Sequence, residues 1–194
     1  NCKVKLEHII SAPDIDLIYK VPLLLRSQNL DINLLSSMQI PYRKVNSDFL
    51  KWVELVNNIK KIRKKVKIAM IGKYFDSGNF VLSDAYISVI ESLKIASWHN
   101  GFKPELEWIS SQRIENEPGY INKLKEYDGI CVPGGYGEKG VDGIMKAIKF
   151  SRENKKPYLG LCFGMQLALV EIARDVCKFE GANTTEIDKK TRYP

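Results

Sequence analysis

Histidine is nearly absent from this 194-residue chain, which has only His8 and His99. The four cysteines, Cys2, Cys131, Cys162 and Cys177, form no C-x-x-C pair and keep no zinc-ligand spacing with either histidine, so no metal site is expected. A chain of this size can build a core without disulfide staples, so the thiols are read as reduced and the compartment as cytoplasmic. Long apolar runs are also lacking. The longest, residues 158–170, is interrupted by Gln166 and followed by Glu171, too short and too polar to cross a bilayer. No signal-peptide pattern opens the chain. With 44% apolar and 27% charged residues, and no excess of glycine or proline, the composition is that of a globular protein rather than a disordered one.

The net charge of +7 raises the question of a nucleic-acid partner, and its distribution answers it. Residues 1–65 hold 12 of the 30 basic side chains but only 6 of the 23 acidic ones, and the remainder is almost balanced. Much of the excess is one run, "KKIRKK" at residues 60–65, which no aromatic residue interleaves as base stacking would require. It reads as the solvated end of a helix or a linker. No nucleic-acid or membrane partner is expected.

Residues 1–45 open with a short strand-like run and continue with apolar residues at helical spacing. That spacing returns at Phe49, Trp52, Val53, Val56 and Ile59, predicting a helical, basic linker over 46–65. From residue 66 the rhythm changes. "VKIAMIG", "ELEWI", "GICV" and "PYLGL" read as short buried strands. Between them lie helical patterns through residues 86–96, 122–127 and 144–150, and a long helix is predicted over 163–177. Alternation of this kind predicts an α/β domain, an open and mostly parallel sheet with helices on both faces, over 66–194. Ligands of such sheets bind beyond the carboxyl ends of the strands. Two loops lie there: "PGGYGEKG" at 133–140 and "GLCFG" at 160–164.

Gly160-x-Cys162-x-Gly164 has the form of a nucleophile elbow with cysteine in place of serine. A helix beginning at Phe163 would direct its N-terminal amides toward the thiol and favour the thiolate. The competing reading, a packed apolar cysteine, suits Cys131 and Cys177 and leaves the two flanking glycines unexplained. The other loop carries a formal G-x-G-x-x-G at Gly135, Gly137 and Gly140, which allows a dinucleotide-binding alternative. Against that stand Glu138, where phosphate charge would fall, and Cys162 at the end of the next strand, where a ribose-binding carboxylate would be needed. The same glycines can instead present backbone N–H groups to an oxyanion, which makes acyl transfer the coherent choice.

"GLCFGMQ" with an upstream "PGGYG" resembles the triad (class I) glutamine amidotransferases. With "IGKY", "SDAYISVIESL", "VPGGYGEKGVDG" and "GANTTE" in order, the likeness narrows to the glutaminase half of the CTP synthase family. "SAPDIDLIYKVPLLL" resembles the end of that family's synthetase domain. The resemblance implies a flavodoxin-like layering, incomplete at its C-terminal end, in an internal fragment that stops before the family's His-x-Glu pair and turns over little alone. It implies Cys162 as the nucleophile and the N–H groups of Gly135 and Phe163 as the oxyanion hole. Gly135, Tyr136, Phe163, Gly164, Met165, Gln166 and Glu186 would bind L-glutamine, with Glu186 on its α-ammonium. Pro13, Asp14 and Ile15 match a segment that contacts ATP. No cofactor is implied for the fragment itself. UTP, ATP with Mg2+, the activator GTP and a homotetramer are implied for the full-length enzyme. Phe163 stands where the family usually has leucine, Tyr136 where it has phenylalanine, and Glu138-Lys139 where it has an aromatic–arginine pair. The segment between Gly72 and Asp84 is a few residues longer than usual. Two other readings stay open: a non-catalytic module with this fold, and an unrelated α/β hydrolase of the cysteine type.

Overall fold

A computed structural model describes residues 3–42, 47–73, 86–135 and 137–194. It divides into two compact units, 1–62 and 63–194.

In the first unit, α1 (Val21–Ser27) starts with Pro22 in its first turn, where a missing N–H costs nothing, and Asn29 makes the left-handed turn (φ 57°) into α2 (Leu30–Ser37). The strand-like opening run is not a strand. It holds a 3-10 turn at Leu6–His8 and then chain with no ladder partner among the described residues. The amide of Gln28 ties that chain to α1: its Oε1 accepts from the Ser11 N–H (2.7 Å) and its Nε2 donates to the Ser11 carbonyl (2.9 Å). Pro13, Asp14 and Ile15 follow directly, the first two exposed and the third half-buried. α3 (Ser47–Lys61) carries the expected helical stripe. Trp52 donates its indole N–H to the Tyr19 carbonyl (2.9 Å), and the Arg26 guanidinium lies 4.2 Å from the Phe49 ring centroid. Lys60 and Lys61 end this helix in solvent, where their charge suits the negative end of the helix dipole.

The second unit is a four-stranded sheet in the order β2-β1-β3-β4, from β1 (Lys65–Gly72), β2 (Lys103–Ser110), β3 (Gly129–Val132) and β4 (Tyr158–Gly160). All its pairings are parallel, with Ile71 opposite Ile109, Met70 opposite Cys131 and Cys131 opposite Leu159. The strands alternate with α4 (Ile87–His99), α5 (Ser111–Asn116), α6 (Val141–Glu153) and α7 (Phe163–Glu171). Right-handed crossovers from β1 to β2 and from β3 to β4, running in opposite directions along the sheet, put α4 and α6 on opposite faces. The chain therefore reverses direction at β1 and β3, and the loops after β1, β3 and β4 share the sheet's carboxyl edge.

One face of the sheet holds the main core. Ala69, Ile71, Ile109, Ile130 and Val132, alternate residues of three strands, pack with Ile144, Ala147 and Ile148 of α6 and Phe163 and Leu167 of α7. Met70 and Cys131 point the other way, fully buried, and burial pushes the Cys131 thiol up to about 11. Cys177, expected to be packed as well, is exposed instead. The helix expected over 163–177 is α-helical only to Glu171 and continues as a π-turn, Ile172–Val176, carrying the chain past the core edge. At the junction the Arg152 guanidinium clasps the buried Glu171 carboxylate through Nε (3.0 Å) and Nη2 (2.6 Å), joining α6 to α7.

Helix α5 was not foreseen. Ser110 caps it by accepting from the Arg113 N–H (3.3 Å), and a serine before a six-residue helix is too weak a signal to stand out. Gly143 lets α6 close on it: a β-carbon at Gly143 would lie 1.8 Å from the Ser111 carbonyl oxygen. On an open helix face glycine-to-alanine gains about 1 kcal/mol; here backbone must move instead. Gly143→Ala is therefore expected to destabilise the protein by roughly 2 kcal/mol, the scale of an overpacked core, read from the urea unfolding midpoint.

Candidate active site

Cys162 links β4 to α7 in a left-handed conformation, φ 51° and ψ −109°, which a residue with a β-carbon rarely adopts. Its side chain is exposed and its thiol is free. The flanking glycines are there because backbone passes where side chains would be. A β-carbon at Gly160 would sit 2.7 Å from the Gly164 carbonyl and 2.8 Å from the Met165 nitrogen. One at Gly164 would sit 2.3 Å from the Val132 carbonyl oxygen. The turn is closed by three hydrogen bonds: Leu161 N–H to the Val132 carbonyl (2.9 Å), Gly164 N–H to the Leu161 carbonyl (3.0 Å) and Gln166 N–H to the Cys162 carbonyl (3.1 Å). Tyr158 adds a fourth, its hydroxyl donating to the Gly164 carbonyl (2.8 Å), and burial raises that phenol well above its ordinary value.

The glycine-rich loop after β3 lies against this elbow. A β-carbon at Gly134 would be 3.6 Å from the Cys162 β-carbon, whereas one at Gly135 would meet open space. The Tyr86 hydroxyl donates to the Gly134 carbonyl (3.3 Å), and the Lys73 ammonium donates to the Gly137 carbonyl. Tyr136 and the long segment after Gly72 lie outside the described residues. Phe163 begins α7, so its N–H has no acceptor within the helix. Its ring, 1% exposed, is packed into the core, with the Lys73 ammonium 4.6 Å from its centroid. The side chain that departs from the family's leucine is thus accommodated inward.

The remaining expected glutamine ligands come from α7 and the loop beyond it. Met165 is half exposed, and Gly164 is buried against β3. Gln166 does not cap the helix with its side chain. Its Oε1 accepts from the Thr184 hydroxyl (3.0 Å), and the same hydroxyl oxygen accepts from the Glu186 N–H (3.3 Å). The Glu186 carboxylate is exposed, and its charge acts on Lys73, whose ammonium burial otherwise holds below the usual lysine value. A cavity of about 640 Å³ opens beside Gln166, Thr184, Leu169 and Arg192, and Cys162 is not among its lining residues. His99 ends α4, which runs back from the carboxyl edge of β1, so it lies at the sheet edge remote from Cys162. Among the described residues no cluster of three histidine, cysteine or carboxylate side chains could hold a metal, and no helix is long and apolar enough to cross a membrane.

Comparison with known proteins agrees with this architecture. The family model for class-I glutamine amidotransferases matches residues 81–192. The chain belongs to that family. The amidotransferase is 40% identical over 193 residues to a CTP synthase of Clostridium beijerinckii, covering 100% of this chain and 34% of that protein. It is 44% identical over 191 residues to a CTP synthase of Sulfurisphaera tokodaii, covering 98% and 35%. It also resembles the glutaminase domain of Trypanosoma brucei CTPS solved with bound acivicin, with a TM-score of 0.59 and 32% identity over 66% of this chain and 48% of that one. The amidotransferase chain spans about a third of the length of the curated relatives it matches.

Two polar residues at the site had not been singled out from the sequence, Lys73 and Thr184. Lys73 follows a buried strand, and Thr184 sits two residues before Glu186; neither pattern by itself marks a role. The steric demand at Gly160 gives a direct test of the elbow. Gly160→Ala is expected to displace the first turn of α7 and lower glutamine-dependent ammonia release by the full-length protein about 100-fold, the scale of a misplacement near 1 Å. Coupled-enzyme detection of ammonia reads it.

Proposed function

We infer that Cys162 is the nucleophile of a glutaminase that supplies ammonia for the amination of UTP to CTP. The left-handed conformation of Cys162, with the glycine loop packed against it, carries this reading: a strained exposed thiol between two sterically required glycines has no use in packing. The Cys162 thiolate attacks the side-chain amide carbon of L-glutamine. The carbonyl oxygen takes up the negative charge and is held by the N–H groups of Gly135 and Phe163, donors each worth on the order of 3 kcal/mol in the transition state. Collapse expels the amide nitrogen, protonated to ammonia, and leaves a glutamyl thioester. Water then cleaves the thioester to glutamate and returns the thiol. Both steps need a general base, which the family resemblance assigns to the histidine of a His-x-Glu pair downstream of Glu186. Gln166 and Glu186 hold the substrate, Glu186 through its α-ammonium, with Tyr136, Gly164 and Met165 shaping the pocket.

The amination itself, with UTP and with ATP and Mg2+, lies outside the amidotransferase unit. Pro13, Asp14 and Ile15 are the part of this chain that would touch ATP. GTP would act as activator near the glycine-rich loop of a cytoplasmic homotetramer.

The test compares CTP formation by the full-length protein and its Cys162→Ala variant, with glutamine or with ammonium as nitrogen donor. The variant is expected to lose at least about 1,000-fold with glutamine, as removal of a catalytic nucleophile does, and to keep the ammonium reaction within about twofold. Equal use of glutamine by both proteins would return Cys162 to the status of a surface thiol.

A further inference from the structure

Gln166 is fixed by a partner on a different segment. Its amide oxygen is occupied by the Thr184 hydroxyl, so the half of the amide left to face a ligand is the NH2 group. The same hydroxyl accepts the Glu186 backbone N–H, so one oxygen atom ties the Gln166 side chain to the main chain of the other residue expected to grip glutamine. Thr184 is itself held. Its N–H donates to Asn183 Oδ1 (3.0 Å), and its carbonyl accepts from the N–H groups of Ile187 and Asp188 (3.0 Å each). The bond from the Thr184 hydroxyl to Gln166 is half-buried, so water competes with it less than with the exposed bond from the Glu186 N–H.

We propose that Thr184 is a positioning residue that sets glutamine affinity by orienting the Gln166 amide and anchoring the Glu186 loop to α7. The inference rests on the glutaminase reading above. Without the hydroxyl, the Gln166 amide can turn its acceptor toward the substrate as readily as its donors, and the Glu186 backbone loses its tie to the helix. Neither change touches Cys162, Gly135 or Phe163, so the chemical step is spared.

The test uses the full-length protein and two variants, Thr184→Val, which removes the hydroxyl at similar volume, and Thr184→Ser, which keeps it. Steady-state ammonia release is measured against L-glutamine, and CTP formation against ammonium. For Thr184→Val, KM for glutamine is expected to rise about 5- to 10-fold, the worth of a lost hydrogen bond. Its kcat and ammonium-dependent rate stay within about twofold, and Thr184→Ser restores KM. The inference is overturned if Thr184→Val keeps the parental KM, if kcat and the ammonium reaction fall with it as in a folding defect, or if the serine variant is as impaired as the valine one. A parent that releases no ammonia from glutamine, or a Cys162→Ala variant that still does, sinks the glutaminase reading and this inference together. An active parent with an unchanged Thr184→Val KM sinks this inference alone.

Discussion

The site depends on how closely the first turn of α7 is pressed against the ends of β3 and β4. That approach is a backbone-to-backbone contact, possible only because residues 160 and 164 have no side chain. It forces the residue between them into φ 51°, a conformation costing of order 1–3 kcal/mol for a residue with a β-carbon. The turn's main-chain hydrogen bonds and the Tyr158 hydroxyl hold it there, each adding on the order of 1 kcal/mol. The strain is therefore balanced locally, and its product is a cysteine side chain that stands out from the sheet edge with a helix N-terminus beside it.

The rest of the second unit serves that contact. β1, β3 and β4 end at one edge, and the order β2-β1-β3-β4 makes the chain reverse there, which leaves room for loops. Leu167 and Val170 seat the buried face of α7, and the Arg152–Glu171 clasp fixes its far end to α6. Lys73 connects the remaining pieces. It donates to the Gly137 carbonyl of the glycine loop while its ammonium lies over the ring of Phe163, so the two segments that bear the expected oxyanion donors share one buried cation. At 6% exposure that cation is costly to leave without partners, which is why both segments are drawn to it.

Much of this was legible in the sequence because it is written in local patterns. The four strands are short apolar runs, α6 shows helical spacing of apolar residues through 144–150, and G-x-C-x-G names its own turn. What was not legible depends on contacts between segments distant in the chain. Nothing near Cys177 says that the helix unwinds into a π-turn at Ile172 and leaves that thiol in solvent. Helix α5 is six residues long, and its register follows from the Gly143 contact with Ser111, 32 residues earlier. The opening strand-like run pairs with no strand among the described residues, and an isolated extended run is not stable as one.

The same distinction separates Cys162 from Thr184. Cys162, the proposed nucleophile, sits on a strained turn that must carry its own glycines, so the local sequence advertises it. A residue that orients another acts through a single hydroxyl whose partners, Gln166 and Glu186, sit 18 positions before and 2 positions after it. Serine and threonine hydroxyls in loops mostly serve neighbouring backbone, and Thr184 does that as well when it accepts from Glu186. Only the fold shows that its hydroxyl donates to the Gln166 amide oxygen, the bond from which its positioning role is proposed.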